Sequence, residues 1–209
     1  GRVGAVYYVN GLVHVAFPSP QAGTSLNNLR YIAYRPVFDG SSDHYNVLVM
    51  DQIISDPNVS FLFPVAAVSK ANLGVIAFSF VGPSTFAGTG LLHFNASTFQ
   101  FPNSYFVTGR GGGLYYGTLK SGTSYTRWGD YSAIGVESDY VIWATNEYVP
   151  PRIKCCLDDV CRGFNWGMNV ARLEYGTTIE RPTHDDVPLT FIDLSHLAPD
   201  NWHPAPVGF

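Results

Sequence analysis

The sequence predicts an all-β protein. Apolar residues recur at every second position in many short runs, and no long segment carries them at the three- and four-residue steps of a helix. Glycine, tyrosine, phenylalanine, serine and threonine are abundant, which is typical of short strands joined by many turns. With 209 residues, the chain is long enough for one substantial domain with a real core, or for two small ones.

Three segments predict β-hairpins. The first, VYYVNGLVHVAF, turns at Asn10-Gly11, a dipeptide strongly associated with two-residue hairpin turns. The second, FPVAAVSKANLGVIAFSF, is expected to turn through residues 71–74, and the third, YSAIGVESDYVIWATNEY, near residues 137–139. Between these hairpins, four further segments each predict a single strand: LRYIAYRPV, YNVLVMDQIIS, GLLHF and SYFVTG.

The three hairpins resemble one another weakly. HVAF, VIAF and IWAT share an alanine after the turn, at Ala16, Ala77 and Ala144, and each unit then runs into a proline. A hairpin followed by two more strands is the pattern of a four-stranded propeller blade. We therefore expect about three propeller-like blades, with a β-sandwich as the alternative. Three blades form an incomplete ring, because propellers usually have four to eight.

A family resemblance is carried by two stretches in a fixed order. ISDPNVSFLFPVAAVSKANLGVIAFSFVGPS, followed by YTRWGDYSAIGVESDYVIWATNEY, resembles secreted, mostly bacterial β-propeller proteins. In those proteins a "DP…FP…A…G-V…F-S" blade precedes an "RWGDYS…W…EY" blade. The resemblance covers roughly residues 50–150 and implies an architecture rather than an activity. The cysteine-rich loop and the tail after Tyr175 depart from it.

The second of these stretches predicts a seam between blades. Large aromatic side chains there are expected to pack between neighbouring sheets, with an Arg–Asp pair tying one blade to the next. An alternative is a Ca²⁺ site formed by Asp130 and backbone carbonyls, and a catalytic carboxylate is the least favoured interpretation. The residues concerned are Arg127, Trp128, Asp130, Tyr131, Ile134, Trp143 and Tyr148.

Composition excludes some partners and favours others. The formal net charge is −4 and the arginines are scattered, so no basic stripe is available for nucleic acid. No apolar run approaches the roughly 18 residues of a membrane-spanning helix. Only 13% of residues are charged, so we expect solubility to come from attached sugars or burial in an assembly, an ordinary polar surface being the alternative. The opening GRVGAVYY has neither an initiator methionine nor a signal peptide, which suggests a processed product or a fragment.

Two kinds of covalent modification are predicted. The sequons NVS and NAS make Asn58 and Asn95 candidate N-glycosylation sites in an extracellular protein. The three cysteines lie together in KCCLDDVCRG, where Cys161 is expected to be oxidised, bonded to Cys155 or Cys156, with reduced thiols as the alternative. One thiol is left over for another chain, another segment or no partner.

The tail predicts an extended arm. We divide the chain into a propeller-like domain, residues 1–176, and a C-terminal arm, residues 177–209, whose prolines exclude a long helix. The arm carries apolar residues suited to docking on an open sheet edge, of a neighbouring copy rather than of its own chain, with disorder as a further alternative. The docking residues are Leu189, Phe191, Ile192, Leu194 and Leu197.

No catalytic motif is recognisable. The sequence holds no G-x-S-x-G, no H-E-x-x-H and no phosphate-binding loop, so we expect a non-enzyme without a cofactor, save the Ca²⁺ alternative at Asp130. The favoured function is a structural or interaction subunit of an extracellular, glycosylated homomeric assembly, such as a filament or surface layer. Its partners would be other copies of itself or the missing remainder of its propeller. Alternatives are a carbohydrate- or ligand-binding propeller fragment of a larger secreted protein and, more distantly, a secreted hydrolase.

Overall fold

The computed structural model describes residues 3–38, 40, 45–113, 131–150, 167–175 and 189–193, the last of these as backbone only. Across these residues the chain is all-β, as predicted, and without a helix. Its strands are β1 (Val6–Val9), β2 (Leu12–Pro20), β3 (Asn27–Val37), β4 (Tyr45–Ile54), β5 (Ser60–Val68), β6 (Leu73–Gly82), β7 (Thr85–Asn95), β8 (Phe106–Gly109), β9 (Ser132–Ser138), β10 (Val141–Tyr148), β11 (Gly167–Glu174) and β12 (Leu189–Asp193).

Each group of four consecutive strands forms its own antiparallel sheet. The first sheet is β1–β4, the second β5–β8 and the third β9–β12, and within each sheet every strand pairs with the next along the chain. One apolar cluster joins the first sheet to the second, and another joins the second to the third. The fold is therefore an open stack of three blade-like sheets, with the second sheet in the middle.

The hairpin turns follow the sequence closely. Asn10 and Gly11 have φ of 51° and 76°, the left-handed values that a two-residue primed turn needs, and Val9 pairs directly with Leu12. The second turn lies slightly earlier than expected, at residues 69–72, because the N–H of Ser69 already bonds the carbonyl of Leu73 at 2.9 Å. The third turn comes slightly late, between β9 and β10 at residues 139–140.

The first apolar cluster lies between the first and second sheets. Tyr31 of β3 is fully buried in it, packed edge-on against Phe94 with ring centroids 4.9 Å apart. From the second sheet, Phe61 and Phe78 contribute a perpendicular ring pair at 5.0 Å. Aromatic pairs of this kind add to the burial of apolar area, which makes this cluster the main core of the described chain.

The second cluster uses the opposite face of the middle sheet. Val75 and Leu91 point away from the first sheet and pack with Ile142 and Leu173 of the third, all nearly or fully buried. Strand β6 is thus apolar on both faces, since Ile76 beside Val75 belongs to the first cluster. A strand buried on both sides reads as a continuous apolar run, and VIAF is such a run.

Glycines in β6 and β7 make room for phenylalanine rings on the neighbouring strand. A Cβ on Gly90 would lie 2.8 Å from Cε2 of Phe78 and 3.0 Å from the carbonyl oxygen of Phe106. Contacts this short do not occur between real side chains, so the rings can lie across the sheet only where the facing residue is glycine. The cross-strand pairs are Gly74–Phe94, Phe78–Gly90 and Phe80–Gly88.

Hydrogen bonds tie the sheets together at their ends. The Asn10 side-chain amide in the first hairpin turn donates to the carbonyl of Lys70 at 3.1 Å and to Oδ1 of Asn72 at 2.8 Å in the second turn. On the other side, the buried Ser79 hydroxyl donates to the Glu147 carbonyl at 2.7 Å. The relative position of neighbouring sheets is therefore fixed by polar contacts as well as by apolar packing.

The three hairpins that form the weak sequence repeat do not all turn the same face toward the same neighbour in the stack. Ala16 and Ala77 both face the sheet that follows their own in the chain, since they lie in the first and second clusters respectively. Ala144 instead faces the preceding sheet, because its cluster is shared with the second sheet. The third hairpin therefore presents its Trp143 face, and not its alanine face, away from the stack.

Strand β12 lies within the predicted C-terminal arm. Its backbone pairs antiparallel with β11, Ala171 opposite Phe191, as the outer strand of the third sheet. The arm was expected on a sheet edge of a neighbouring copy; in this single chain it occupies an edge of its own third sheet. Strand β11 itself was not predicted, because polar and apolar residues mix on both faces of GMNVARLE.

Candidate functional site

The side of the first sheet that faces away from the stack carries an apolar surface, which we call the outer face. Cross-strand partners in an antiparallel sheet share a face, so the register of β1–β4 defines its three rows. Nine of its eleven residues are apolar, as in a face that is normally covered by another sheet. The rows are Tyr8–Val13–Tyr34–Leu48, Val6–Val15–Ile32–Asp51 and Phe17–Arg30–Ile53.

Exposure on the outer face rises from its centre to its rim. Val15 in the middle is buried, although it belongs to neither apolar cluster. At the rim, Tyr8 is 65% exposed and Leu48 60% exposed. Among the described residues, nine of the twelve exposed large apolar side chains lie within residues 3–53, so apolar exposure is concentrated at this end of the stack.

One ion pair crosses the outer face. Arg30 donates from Nε to Oδ1 of Asp51 at 2.8 Å and from Nη2 to Oδ2 at 2.5 Å, a bidentate geometry, and its guanidinium lies 5.9 Å from the ring centre of Phe17. This hydrogen bonding raises the pKa of Arg30 and lowers that of Asp51. Both side chains stay about one-third exposed, so the pair is charged and accessible toward the β4 edge of an otherwise apolar surface.

The outward side of the third sheet is more polar. The guanidinium of Arg172 lies 5.7 Å from the ring centre of Trp143 and 3.9 Å from a carboxylate oxygen of Glu137, and it also bonds Glu174. The indole N–H of Trp143 donates to Glu137. Hydrogen bonding to Glu174 raises the pKa of Arg172. The two ends of the stack therefore differ, one apolar and the other carrying a network of charges.

A pocket of about 240 Å³ opens beside the junction of the first and second sheets. Its lining includes Asp56, Asn103, Ser104 and Tyr105. The Tyr105 hydroxyl donates to Oδ2 of Asp56 at 3.3 Å, and burial, reinforced by this carboxylate, raises the pKa of Tyr105 to about 12. The pocket thus combines an aromatic wall with hydrogen-bonding groups, a composition that can hold a small polar ligand.

A buried polar pair lies between the first two sheets. The hydroxyl of Tyr31 and Nδ1 of His14 are 2.6 Å apart, and both side chains are almost fully buried. Burial lowers the pKa of His14 to about 4, and the backbone of Val9 opposes this only in part. The imidazole is therefore neutral and shares one hydrogen bond with the Tyr31 hydroxyl, and the pair is part of the core rather than a reactive centre.

The predicted seam is only partly described. Arg127, Trp128 and Asp130 lie outside the described residues. Of the remaining four, the described chain places two at the interface with the second sheet or close to it: Tyr148 is buried and Ile134 packs against the second cluster. Trp143 lies half-buried on the opposite, outward side, and Tyr131 is 69% exposed, which differs from the expected packing.

The two sequons occupy different settings. Asn58 is exposed, but Ser60 of its sequon is buried and its hydroxyl oxygen accepts from the backbone N–H of Asn27 at 2.9 Å. At the other sequon, Oδ1 of Asn95 accepts from the Ser97 hydroxyl at 2.6 Å and from the Ser97 N–H at 2.9 Å. Ser97 and Thr98 are exposed, whereas Asn95 itself is half-buried and Ala96 is buried.

Other predicted site residues lie largely beyond the described chain. Cys155, Cys156 and Cys161 are outside the described residues, as are Leu194 and Leu197 of the arm. Of the docking residues, Leu189, Phe191 and Ile192 are present as the backbone of β12. The outer face was not identified from the sequence. Its signal was present in the alternation of LVHVAF and LRYIAYRPV, but alternation alone does not tell which side of a sheet is covered.

Comparisons with known proteins do not assign this chain to a family. No protein-family model matches the sequence, and no curated protein is significantly similar to it. Within the part of the chain that the structure describes, no group of three or more histidine, cysteine, aspartate or glutamate side chains is placed to hold a metal ion. A search of the same residues finds no helix with the length and hydropathy to span a membrane.

Proposed function

We propose that this chain is a structural or interaction subunit of an extracellular homomeric assembly, a filament or a surface layer. The observation that carries this function is the concentration of exposed large apolar side chains on the first sheet, at one end of an open stack. Exposed apolar patches of this kind are typical of surfaces that are covered in the working protein. The sheets are taken as blades of a propeller-like unit, in line with the resemblance to secreted β-propeller proteins.

The C-terminal arm supplies the connection between copies in this scheme. Its strand β12 pairs with β11 through backbone hydrogen bonds, and the edge of β11 can take the same strand from its own chain or from a neighbour. Exchange of an identical element between copies converts an internal contact into an intermolecular one without any new surface. In the assembly, Leu189–Asp193 of one copy docks on β11 of the next.

Covalent modifications support an extracellular setting for the proposed function. We expect N-glycans on Asn58 and Asn95 and a disulfide from Cys161 to Cys155 or Cys156. Intact mass spectrometry and peptide mapping without reductant test both expectations on native material. An intact mass equal to that of the bare polypeptide, 22.9 kDa, would contradict the expected N-glycans. Three freely alkylated thiols would contradict the expected disulfide and indicate a reducing compartment.

Binding of a carbohydrate or other small ligand is a second candidate function, favoured by the pocket at Asp56 and Tyr105. An aromatic wall beside a carboxylate and an amide suits a sugar, whose hydroxyls need hydrogen-bond partners and whose ring faces are apolar. A glycan array followed by isothermal titration calorimetry would detect such a ligand. Tyr105→Phe should then weaken binding, because the hydroxyl that meets Asp56 is lost.

Electron microscopy of native material, together with sedimentation velocity, decides between the two functions. Filaments, sheets or rings support the assembly, and a monomer that carries a bound sugar supports the ligand-binding module. For the assembly, deleting residues 177–209 should stop growth beyond small oligomers while circular dichroism still reports β-structure. A truncated chain that polymerises like the full chain would show that the arm is not the connector.

A further inference from the structure

We propose that, within the homomeric assembly on which this inference rests, the outer face of the first sheet packs against the same face of a second copy across a two-fold axis. Two four-stranded sheets would then lie face to face, about 10 Å apart as in a sandwich. The contact is isologous: both copies use the same surface, so each residue of the outer face contacts residues of the outer face in the other copy. It adds a closed contact between two copies to the open-ended contact made by the arm.

The first argument is the composition of the face. Its nine apolar residues match the kind of surface that the middle sheet buries on both of its sides. Each exposed rim side chain, such as Val6, Tyr8 or Ile53, leaves apolar area in water that a second sheet would remove. A monomer that left this surface bare would expose a contiguous apolar patch of the kind that soluble monomers rarely show.

The second argument concerns which surface of a second copy covers the outer face. The only other end of the described stack is the outward side of the third sheet, where Glu137, Glu174 and Arg172 form a charged network. Covering the outer face with that side would take carboxylates out of water with no new cation to meet them, because the guanidinium of Arg30 is already held by Asp51. Burial against an identical apolar face avoids this cost.

The third argument is the ion pair itself. A two-fold axis that lies between the two faces and runs diagonally across the strands, midway between Arg30 and Asp51, places Arg30 of one copy near Asp51 of the other, and the reverse, so the four charges alternate in sign. The pair is bidentate within each chain and about one-third exposed, so its outer edges remain available to the second copy. A surface that carries one cation and one anion side by side is complementary to itself under two-fold rotation.

The area is sufficient for such a contact. Four strands about 4.8 Å apart and up to about 30 Å long give a face of roughly 570 Å² before side-chain relief is counted. A standard stable interface buries about 800 Å² on each partner, and tyrosine and phenylalanine side chains raise the accessible area well above the flat value. Face-to-face packing of the first sheets therefore reaches the size of a specific dimer.

The decisive experiment uses two adjacent residues of β4 that point to opposite sides. Leu48 lies on the outer face, paired with Tyr34, and Val47 lies on the other side, paired with Arg35; they are 60% and 45% exposed. Sedimentation velocity over a concentration series gives the dissociation constant of the full-length wild type, Leu48→Lys and Val47→Lys. We expect Leu48→Lys to raise that constant roughly tenfold or more, since symmetry places two lysines in one contact, and Val47→Lys to leave it unchanged.

A charge exchange tests the geometry of the same contact. Arg30→Asp alone and Asp51→Arg alone each give a face of one charge sign, so each variant should fail to pair with itself. An equimolar mixture of the two should recover the wild-type mass as a heterodimer, which a purely structural role of the ion pair would not produce. Thermal unfolding followed by circular dichroism, with all variants folded at the assay temperature, is the control.

The outcomes separate this contact from the proposed function. A wild type that stays at 22.9 kDa at every concentration overturns both. A wild type that associates, with Leu48→Lys associating equally well and the charge variants failing to recover in the mixture, overturns the face-to-face contact alone and leaves the homomeric assembly standing. Weaker association of Leu48→Lys than of the wild type and Val47→Lys, together with recovery in the mixture, supports it; the association that remains is the one made by the arm.

Discussion

His14 shows how burial converts an ionisable residue into a core residue. Its imidazole is 1% exposed, and its Nδ1 is hydrogen-bonded to the Tyr31 hydroxyl at 2.6 Å. Burial also raises the pKa of Tyr31 above its usual range, so both partners stay neutral across the physiological range of pH. The contact gives Nδ1 and the hydroxyl a partner inside the main cluster, whereas Nε2 of His14 is buried with no hydrogen-bond partner within the described residues.

We expect His14 to lower the free energy of unfolding at acidic pH. In the unfolded chain its pKa is 6.5, and in the folded chain it is about 4, so the unfolded state binds the proton first. The stability that neutral His14 provides is complete above pH 6.5 and is lost as the pH falls toward 4, amounting to roughly 2–3 kcal/mol by pH 4.5.

His14→Gln tests this expectation. Glutamine can still accept from Tyr31 but does not titrate, so the free energy of unfolding of this variant should fall less between pH 7 and pH 4.5 than that of the wild type. Denaturant unfolding at the two pH values measures the difference. Parallel pH dependence in the two proteins would show that His14 is already protonated, or solvated, in the folded state.

Cross-strand pairs of glycine and phenylalanine shape the middle sheet at the level of its strands. Each ring covers the backbone of the facing strand, so β6 and β7 are held together by side-chain burial in addition to ladder hydrogen bonds. A methyl group at Gly90 would meet both the ring of Phe78 and the carbonyl oxygen of Phe106. The packing on this part of the sheet depends on the missing side chain.

Gly90→Ala should therefore destabilise the protein by about 1–3 kcal/mol, the usual cost of overpacking a core. The matched control is Gly135→Ala in β9, where an added Cβ meets nothing within 4 Å, so a change within about 0.5 kcal/mol is expected. Chemical unfolding of the two variants gives the comparison. Equal destabilisation would mean that the contact with the Phe78 ring and the Phe106 carbonyl oxygen does not set the cost.

The strands could be predicted from the sequence more fully than the arrangement of their faces. Alternating apolar residues and the Asn10-Gly11 turn specify β1–β4 because they are local signals. The outward position of Trp143 could not be predicted, since it depends on which side of β10 the second sheet covers. Strand β11 escaped prediction for a related reason: its buried side holds the polar Asn169 as well as Leu173, and its other side holds the apolar Val170 beside Arg172, so polarity does not alternate along the strand although burial does.

For the whole molecule, the distribution of polar and apolar surface separates the two ends of the stack. The outer face of the first sheet is apolar with one ion pair, whereas the outward side of the third sheet holds Trp143 and Arg172 in a charged network. An assembly built from such a chain has two kinds of end. The arm and the outer face are accordingly assigned to different contacts.

The seam predicts how the molecule responds to divalent ions. If Arg127 and Asp130 form a structural ion pair, Asp130→Asn should lower the midpoint of thermal unfolding, and a chelator should leave the wild type unchanged. Differential scanning calorimetry with and without chelator makes the comparison. A chelator that destabilises the wild type as much as the substitution does would favour the Ca²⁺ alternative at Asp130.

The order of strands in each sheet also bears on how the protein is made. Because every strand pairs with its successor, all ladder contacts of a sheet are available as soon as its fourth strand has left the ribosome. In the first sheet the loops between paired strands are two, six and seven residues long, so little chain entropy is lost at each closure. The first sheet can thus be complete while its covering partner, the second sheet, is still being translated. During that interval both sides of the nascent sheet meet solvent and chaperones.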